Sequence, residues 1–550
     1  MFWGFGYPHA LSYQEQFQLF LFDIDYFFER MAVPGGMAQY IAEFFVQMYN
    51  NVYVGAIIVT SVLVIIQQLT WTLMKKYDKE SNDIYPYSFI ISLLIWSLMG
   101  DPQVMYTFPF AILLTLVAMT AFPKNCRARI IFMSIGTPII YWLVGPSVFI
   151  LSLYATIAII VDAKKKGNSI LTGIVLVLYA VFCIILSTYI VPYVLERLFC
   201  GVDYYRYPDV IPFLMIFTML ATAVLPFCAL IKFKKHKSFI IIHISAIVVI
   251  GFILVFNSFD KKTYELIKYD YMVRNGDWNA VIKQAEKQMP DLPMSVCATN
   301  LALAITNQLG ERGFQFFQNG PQGLIPPFEK NFTSLQTTSE LYWQLGLVNS
   351  AQRLAFESME CLPNYDKSCR VMKRLVETNI VNGQYDVARK YILILKKTLY
   401  YARWADRQMR LLGNEKAINS HPVYGKLRKY HLRQDFLFSE DEIDKICGRL
   451  FIHNRSNHLA MQYLLFYPLL QKDINKFMRY LIVVNKRVPY MPAHCQEAVV
   501  FAYSQNHQTP PQRTVSPIIM QQFSEFAQAY SQHGNVEGFR NTVWYYLTKQ

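Results

Sequence analysis

Charged residues are scarce in this 550-residue chain, where Asp, Glu, Lys and Arg make up 16% of the sequence. A soluble globular protein usually carries about 25%. The shortage is confined to one half of the chain. Residues 1–258 hold 16 Lys/Arg and 13 Asp/Glu between long apolar runs, whereas residues 259–550 hold 36 and 25. The composition therefore excludes a single soluble domain and predicts a membrane part followed by a water-soluble part.

Several motifs of enzymes and metal sites are missing. None of the nine cysteines lies in a CxxC pair, which argues against a zinc ribbon or a thioredoxin-type site. The chain has no GxxxxGKS/T, HExxH or GxSxG sequence, so ATPase and hydrolase interpretations have no local support. No metal site is predicted, and no cofactor can be assigned.

The second half carries a surplus of 11 positive charges. No RNP, zinc-finger or basic-region signature accompanies this surplus, so no nucleic-acid partner is expected. The charge is compatible with a solvated basic surface, or with an anionic partner such as a membrane surface or a glycan.

Eight apolar runs in the first half are long enough, or nearly so, to cross a bilayer. They cover about residues 52–74, 84–100, 105–122, 129–145, 146–162, 169–195, 210–231 and 238–258. Only Gly145-Pro146 separates the fourth from the fifth, which predicts a helical hairpin. All eight runs are expected to be helical, because lipid leaves backbone amides no partner outside the segment.

The basic residues predict how these runs are oriented. Thirteen Lys/Arg fall in four loops that strict alternation puts on one face, at 75–79, 124–129, 164–166 and 232–237. Only Arg30, Arg197 and Arg206 fall on the other face. The positive-inside rule makes the basic face cytoplasmic, so residues 1–50 and 259–550 are predicted to lie outside.

The first outside segment, 1–50, contains two amphipathic stretches around Pro34-Gly35-Gly36, and such helices suit a membrane interface. Glu15, Asp23 and Asp25 are candidate catalytic residues. Polytopic glycosyltransferases that use lipid-phosphate sugar donors place an acid in this position. The acid would deprotonate an acceptor or hold a divalent cation against pyrophosphate. The alternative is that these acids only face water or headgroups.

A second outside loop mixes charge with aromatic residues. Arg197, Asp203 and Arg206 are candidate binding residues in this loop, which includes Asp203-Tyr204-Tyr205-Arg206. They could line a site for a headgroup or a sugar. An interfacial aromatic belt is the alternative interpretation.

The second half changes to amphipathic helices with short polar joints. Two stretches, beginning at Asn275-Gly276-Asp277-Trp278 and Asn382-Gly383-Gln384-Tyr385, resemble the turn and second helix of a tetratricopeptide repeat. They begin 107 residues apart, close to three periods of 34. We therefore predict an all-α chain: a segment at 1–50, a transmembrane domain at 51–258, and a soluble, tetratricopeptide-like helical region at 259–550.

Several segments also resemble an uncharacterised family of Bacteroidetes membrane proteins, a domain of unknown function. They are Tyr7-Pro8-His9, Tyr13-Gln14-Glu15-Gln16-Phe17, Val33-Pro34-Gly35-Gly36, Asn300-Leu301-Ala302 and Asn382-Gly383-Gln384-Tyr385. The resemblance implies a multi-pass protein of the bacterial inner membrane with a periplasmic C-terminal half, and it supplies no catalytic residues. It also implies one more span upstream, which fits the apolar-aromatic residues 1–7.

Two functions follow as hypotheses. The first is an envelope protein that presents its periplasmic helical region to a protein or glycan partner. The second is a membrane glycosyltransferase-like enzyme that uses a lipid-linked sugar donor. Eight spans exceed what an anchor needs, which favours the enzyme, whereas the lack of a specific catalytic motif favours the envelope protein. The lipid bilayer is a partner in both cases.

Overall fold

The computed structural model describes residues 2–77, 83–162, 166–207, 209–230, 237–362, 366–432, 442–485, 491–511, 514–534 and 536–549. Within these ranges the chain folds into α-helices with short turns of 3-10 helix and no strand, which confirms the all-α prediction. A single antiparallel bridge joins Val104 to Tyr205. The loop lysines at 79, 164, 165, 232, 234 and 235 lie outside the described residues.

The chain divides into two compact units. The first contains Met1–Tyr264 together with two short segments from later in the chain, Leu362–Cys369 and Lys396–Arg403. The second contains Glu265–Cys361, Arg370–Leu395 and Trp404–Gln550. The expected segment at 1–50 and the expected membrane part at 51–258 thus belong to one unit, which also includes two pieces of the C-terminal half.

Twelve α-helices of the described residues make up most of the first unit. They are α1 (Pro8–Gln14), α2 (Ile24–Met31), α3 (Gly36–Val46), α4 (Val52–Met74), α5 (Ile90–Leu98), α6 (Thr107–Thr120), α7 (Cys126–Val144), α8 (Val148–Asp162), α9 (Lys166–Ser187), α10 (Leu195–Cys200), α11 (Phe213–Val224) and α12 (Lys237–Asn257). Each of the eight apolar runs forms one of these helices. Fully buried side chains from α3, α4, α6 and α8 form the core, among them Ala38, Ile66, Leu116 and Leu151.

Fewer helices than the expected eight have the length of a span. Four are long and apolar enough among the described residues: Val52–Met74, Arg127–Asp162, Ser169–Ser187 and Phe213–Leu230. The bent pair formed by Ile241–Asn257 and Lys261–Asn275 would make a fifth. Two of the expected spans form short helices, Tyr85–Leu98 and Thr107–Thr120, which at 1.5 Å per residue do not reach across about 30 Å of hydrocarbon.

The continuous run Arg127–Asp162 folds back on itself at Gly145. This glycine has φ 73° and ψ −147°, a conformation that breaks a helix. The Arg129 guanidinium lies 2.6 Å from the Asp162 carboxylate although 33 residues separate them. A straight helix would hold these residues about 50 Å apart. The structure therefore contains the predicted hairpin of α7 and α8.

Contacts within the first unit bring several of its basic loops to one end. The Lys76 ammonium donates to the carbonyl oxygen of Thr120 at 2.7 Å, which joins the loop after α4 to the end of α6. The Arg129–Asp162 pair joins the start of α7 to the end of α8. These contacts agree with the alternation deduced from the sequence. The compartment that this end faces remains a prediction.

Seventeen further helices of the described residues lie wholly or mostly in the second unit. They are α13 (Lys261–Asn275), α14 (Trp278–Lys287), α15 (Pro293–Ile305), α16 (Leu309–Arg312), α17 (Phe332–Leu345), α18 (Val348–Glu360), α19 (Cys369–Val381), α20 (Tyr385–Leu395), α21 (Ala402–Met409), α22 (Glu415–Ser420), α23 (Tyr424–Tyr430), α24 (Ile443–His453), α25 (His458–Leu470), α26 (Ile474–Asn485), α27 (Ala493–Gln505), α28 (Pro517–His533) and α29 (Val543–Thr548). Buried residues of α15, α17 and α25, such as Leu301, Leu345 and Tyr463, form its core.

Five joints between helices of the second unit share one geometry. In each, a residue with positive φ ends the first helix, and the second helix begins two residues later. These residues are Gly276, Asn307, Gly346, Gly383 and Lys472. The amide that follows each of them bonds to the carbonyl oxygen five residues earlier, at 2.6 to 3.0 Å. This arrangement satisfies the helix end, and its repetition makes the unit a series of helix pairs.

Candidate functional site

A tight turn in the segment 1–50 brings α2 back onto α3. Gly35 has φ 88°, and a Cβ on Gly36 would collide with the carbonyl oxygen of Arg30. Pro34-Gly35-Gly36 therefore allows α2 and α3 to approach each other more closely than residues with larger side chains would permit. The turn places Arg30, in the last turn of α2, beside Glu43 on α3.

Glu43 belongs to a group of three buried carboxylates, which we name the carboxylate cluster: Glu43, Asp203 and Asp366. One oxygen from each lies within 4.8 Å of the others. The three residues are 0%, 4% and 3% exposed. They come from α3, from the loop after α10, and from the segment Leu362–Cys369, all within the first unit. Burial of three acids this close together is costly unless cations or protons compensate them.

Arg30 supplies one compensating charge. A terminal guanidinium nitrogen lies 2.9 Å from Glu43 Oε1 and 2.9 Å from Asp366 Oδ1, and Nε donates to Glu43 Oε2 at 3.0 Å. The Gln39 amide and the Tyr26 hydroxyl also donate to Glu43. Glu43 is therefore held rigidly, and Arg30 connects it to Asp366.

The cluster holds more negative charge than Arg30 neutralises. Burial raises the pKa of Glu43, and the nearby Asp203 raises it further, although Arg30 acts in the opposite direction. Burial likewise raises the pKa of Asp366 well above its ordinary range, with Asp203 adding to the shift and Arg30 opposing it. A carboxylate whose pKa is raised is a stronger base than an ordinary one, so these acids are suited to proton transfer.

The position of Arg30 argues against a cation bound between Glu43 and Asp366. Each residue of the cluster offers one oxygen, as a divalent cation such as Mg²⁺ requires. However, the guanidinium of Arg30 already contacts both Glu43 and Asp366. A cation bridging these two would have to displace it. Asp366 Oδ2 is buried and accepts no hydrogen bond from the described residues, so it remains available to an incoming group.

Three contacts between two segments of the chain hold Asp203 in place. Val104 and Tyr205 form the antiparallel bridge, and the Met105 amide bonds to the Tyr204 carbonyl at 3.0 Å. The Thr107 hydroxyl donates to Asp203 Oδ2 at 3.1 Å. The loops before α6 and after α10 therefore set the position of this carboxylate.

The candidate acids of the first segment do not form one cluster with each other in the described structure. Glu15 is buried and accepts a hydrogen bond from the Tyr401 hydroxyl at 3.1 Å. Asp23 precedes α2 and forms an ion pair with Lys397, and this hydrogen bond lowers the pKa of Asp23. Asp25 is exposed in the first turn of α2. Their catalytic role remains a hypothesis.

The candidate binding residues occupy three different environments. Asp203 is part of the carboxylate cluster. Arg206 is buried, donates to the Tyr13 hydroxyl at 3.0 Å and lies 4.3 Å above the Phe17 ring, so it holds α1 and the following residues in place. Arg197 lies 4.8 Å over the ring of Tyr193, and its buried Nε has no hydrogen-bond partner among the described residues.

Tyr193 connects Arg197 to the cluster electrostatically. Burial raises the pKa of Tyr193, and the charges that also act on it are those of Arg197, Asp203, Asp366 and Arg30. A side chain influenced by all four groups lies in their neighbourhood. The site therefore combines an excess of carboxylates with a nearby arginine.

Glu43, Arg30 and Asp366 were not singled out from the sequence. For Glu43 a signal was present, because it lies on the amphipathic stretch that follows Pro34-Gly35-Gly36. Asp366 carried no such signal in the sequence, because it lies in a loop of the C-terminal half, which was expected to form a separate region. Only the folded chain brings it within reach of residues more than 160 positions earlier.

No curated protein and no solved structure is significantly similar to the chain. A family described as a family of unknown function, DUF6057, matches residues 1–550. The match spans both units, so it agrees with the resemblance to an uncharacterised family. The chain therefore belongs to the DUF6057 family.

Proposed function

We propose that this protein is a membrane enzyme that transfers a sugar from a lipid-linked phosphate donor to a hydroxyl acceptor, with the carboxylate cluster as its catalytic centre. The observation that carries the proposal is the juxtaposition of three buried carboxylates, those of Glu43, Asp203 and Asp366, two of which Arg30 joins. Buried acids gathered in this way, with shifted pKa values, are typical of sites where a protein binds or reacts.

In the proposed reaction, Asp366 Oδ2 accepts the proton of the acceptor hydroxyl. The acceptor oxygen forms a bond to the anomeric carbon of the donor sugar, and the bond from that carbon to the lipid phosphate breaks. The electron pair leaves on the phosphate, and Arg197 stabilises the resulting charge. Arg30 and Glu43 position Asp366.

A lipid-linked donor is supported by an apolar groove in the first unit. The groove has a volume of about 510 Å³, and its lining includes Phe2, Phe89, Trp96 and Phe252. Such a lining can receive an acyl or prenyl chain. The chain also carries four or five helices that are candidate membrane spans. A protein in the membrane would meet a lipid-linked substrate within the same bilayer. We place the protein in the bacterial inner membrane.

The test measures lipid-linked sugars in cells that lack the gene and are complemented with variants. We expect donor lipid to accumulate without the protein and to return to normal with the wild type. Asp366→Asn and Asp203→Asn should fail to restore it, whereas Asp25→Asn, an exposed acid on α2, should restore it fully. Full complementation by Asp366→Asn, with protein present in the membrane at normal amounts, would refute the proposal.

A second candidate function is docking of a periplasmic protein or glycan by the second unit. The five identical joints favour it, because stacked helix pairs commonly present an extended binding surface. Docking requires the C-terminus to lie outside the cytoplasm. A reporter enzyme that is active only in the periplasm, fused after Gln550, should be active, and a fluorescent protein that folds only in the cytoplasm should stay dark. The reverse pattern would exclude this candidate.

A further inference from the structure

The second unit contains a polar cavity of about 400 Å³ between α17, α19 and the start of α23. On α19 its lining includes Arg370, Lys373, Arg374 and Glu377, at positions i, i+3, i+4 and i+7. This spacing gives one face of a helix. Facing positions of packed helices are ordinarily apolar, so a charged stripe here indicates a binding function rather than packing.

Cations outnumber acids around this cavity. Its five basic residues are Arg274, Arg370, Lys373, Arg374 and Lys426, and its two acidic residues are Glu340 and Glu377. A third acid, the buried Asp270, neutralises Arg370 through two bonds of 2.7 and 2.9 Å. With Asp270 included, five basic side chains and three acidic ones surround the cavity.

The acids beside the cavity also fix the position of its basic groups. Arg374 forms an ion pair with Glu340 and stacks 4.4 Å over the Trp343 ring. Glu377 lies 3.6 Å from Arg374 and 4.0 Å from Lys373. A basic group held in this way loses little entropy when it binds a ligand.

We propose that this cavity binds a phosphate monoester of a small polar molecule. A phosphate monoester carries a charge close to −2 at neutral pH, so it suits a lining in which basic residues outnumber acidic ones. Lysine and arginine are the side chains that bind phosphate most readily. The volume leaves room for a polar body the size of a sugar beside the phosphate. The proposal concerns the second unit and does not depend on the carboxylate cluster.

The experiment is isothermal titration calorimetry on the full-length protein in an uncharged detergent. One probe is a hexose 6-phosphate, and the other is a phosphatidic acid with two six-carbon chains, used below its micellar concentration. Binding of the hexose phosphate identifies a soluble ester, and binding of the lipid alone identifies a headgroup. Failure of both probes to bind overturns the proposal.

Variants then locate the site. Lys373→Gln/Lys426→Gln should weaken binding at least tenfold, and Glu377→Gln should tighten it because it removes a competing carboxylate. The matched control, Lys283→Gln/Lys390→Gln, removes two exposed lysines that do not line the cavity and should leave the affinity unchanged. Thermal unfolding verifies that each variant is folded. Equal affinities in the two double variants would overturn the proposal.

Discussion

The two units differ in how they arrange their buried acidic side chains. In the second unit, Asp270 faces a single arginine, Arg370, through two parallel hydrogen bonds, and the Thr337 hydroxyl donates to the same carboxylate at 3.0 Å. In the first unit, three carboxylates lie within 4.8 Å of one another, and Arg30 bonds to two of them, Glu43 and Asp366. Both groups are buried. The difference is one of grouping, because Asp270 is a single acid paired with its arginine, whereas the carboxylate cluster brings three acids together.

A single acid paired with one arginine is explained by the fold alone, since its desolvation is offset by its own bonds. A group of buried carboxylates that raise each other's pKa is maintained at a cost in stability, and such a cost is typical of sites where a protein binds or reacts. The comparison therefore assigns a structural role to Asp270 and a functional role to the cluster. The following experiments test that assignment.

The largest effect is expected from removing Arg30. Arg30→Met leaves two buried acids, Glu43 and Asp366, without their bonded cation, so the free energy of unfolding should fall by about 3–5 kcal/mol. Denaturation in mixed micelles measures this change. Arg30→Met/Glu43→Gln should recover part of the loss, because it removes one of the stranded charges. Unchanged stability of Arg30→Met would show that the cluster is compensated by other groups.

Replacing one buried acid in each unit by asparagine tests whether the two acids have different roles. Asp270→Asn leaves Arg370 poorly paired and should cost about 2–3 kcal/mol, the range of hydrogen bonds to charged groups. Asp203→Asn removes excess negative charge and keeps an acceptor for Thr107, so its stability should stay within about 1 kcal/mol of the wild type or rise. The same denaturation assay compares them. Equal losses in the two variants would contradict the assignment.

The pH dependence of stability tests the raised pKa of Glu43. The folded-state pKa is raised from 4.5 to about 7, so the folded protein holds this proton more tightly than the unfolded chain does. This contribution to stability is complete below pH 4.5 and is lost as the pH rises through about 7. The unfolding temperature of the wild type should fall over this window, and Glu43→Gln should flatten the curve. An identical pH profile for the variant would show that Glu43 does not titrate there.

The smallest effect is expected at the helix joints of the second unit. Gly383 has φ 75° with open space around it, so Gly383→Ala introduces only backbone strain, about 1 kcal/mol. Gly383→Asn should cost less, because asparagine adopts this conformation more readily. Thermal unfolding measures both. Equal unfolding temperatures of the two variants would show that the joint does not require a residue that readily adopts the left-handed conformation.

Sequence periodicity and turn chemistry predict much of the secondary structure. The eight apolar runs are helical because length and hydropathy are local properties, and Gly145-Pro146 marked the hairpin. Gly276 and Gly383 marked two of the five joints. The joints at Asn307 and Lys472 carry no glycine. Lysine rarely adopts positive φ, so the joint at Lys472 could not be expected from the residue type, whereas asparagine adopts it more readily and gave a weak signal at Asn307.

The site was harder to anticipate because its members are brought together by tertiary structure. Asp203 was selected from a charged, aromatic loop, but nothing in its surroundings pointed to Glu43 or Asp366. The exposed position of Asp25 and the ion pair of Asp23 with Lys397 likewise depend on how the chain returns to the first unit. Hydropathy describes a residue's environment and says nothing about a distant partner.

The segment Leu362–Cys369 carries a consequence for biosynthesis. Ribosomes make the chain from its N-terminus, so the early helices are synthesised while Asp366 does not yet exist. Until then Arg30 and Glu43 are bonded to each other and to their neighbours on α2 and α3. The carboxylate cluster is therefore completed only after all the helices of the first unit have been made, and a polypeptide released before residue 366 would lack one of its three acids.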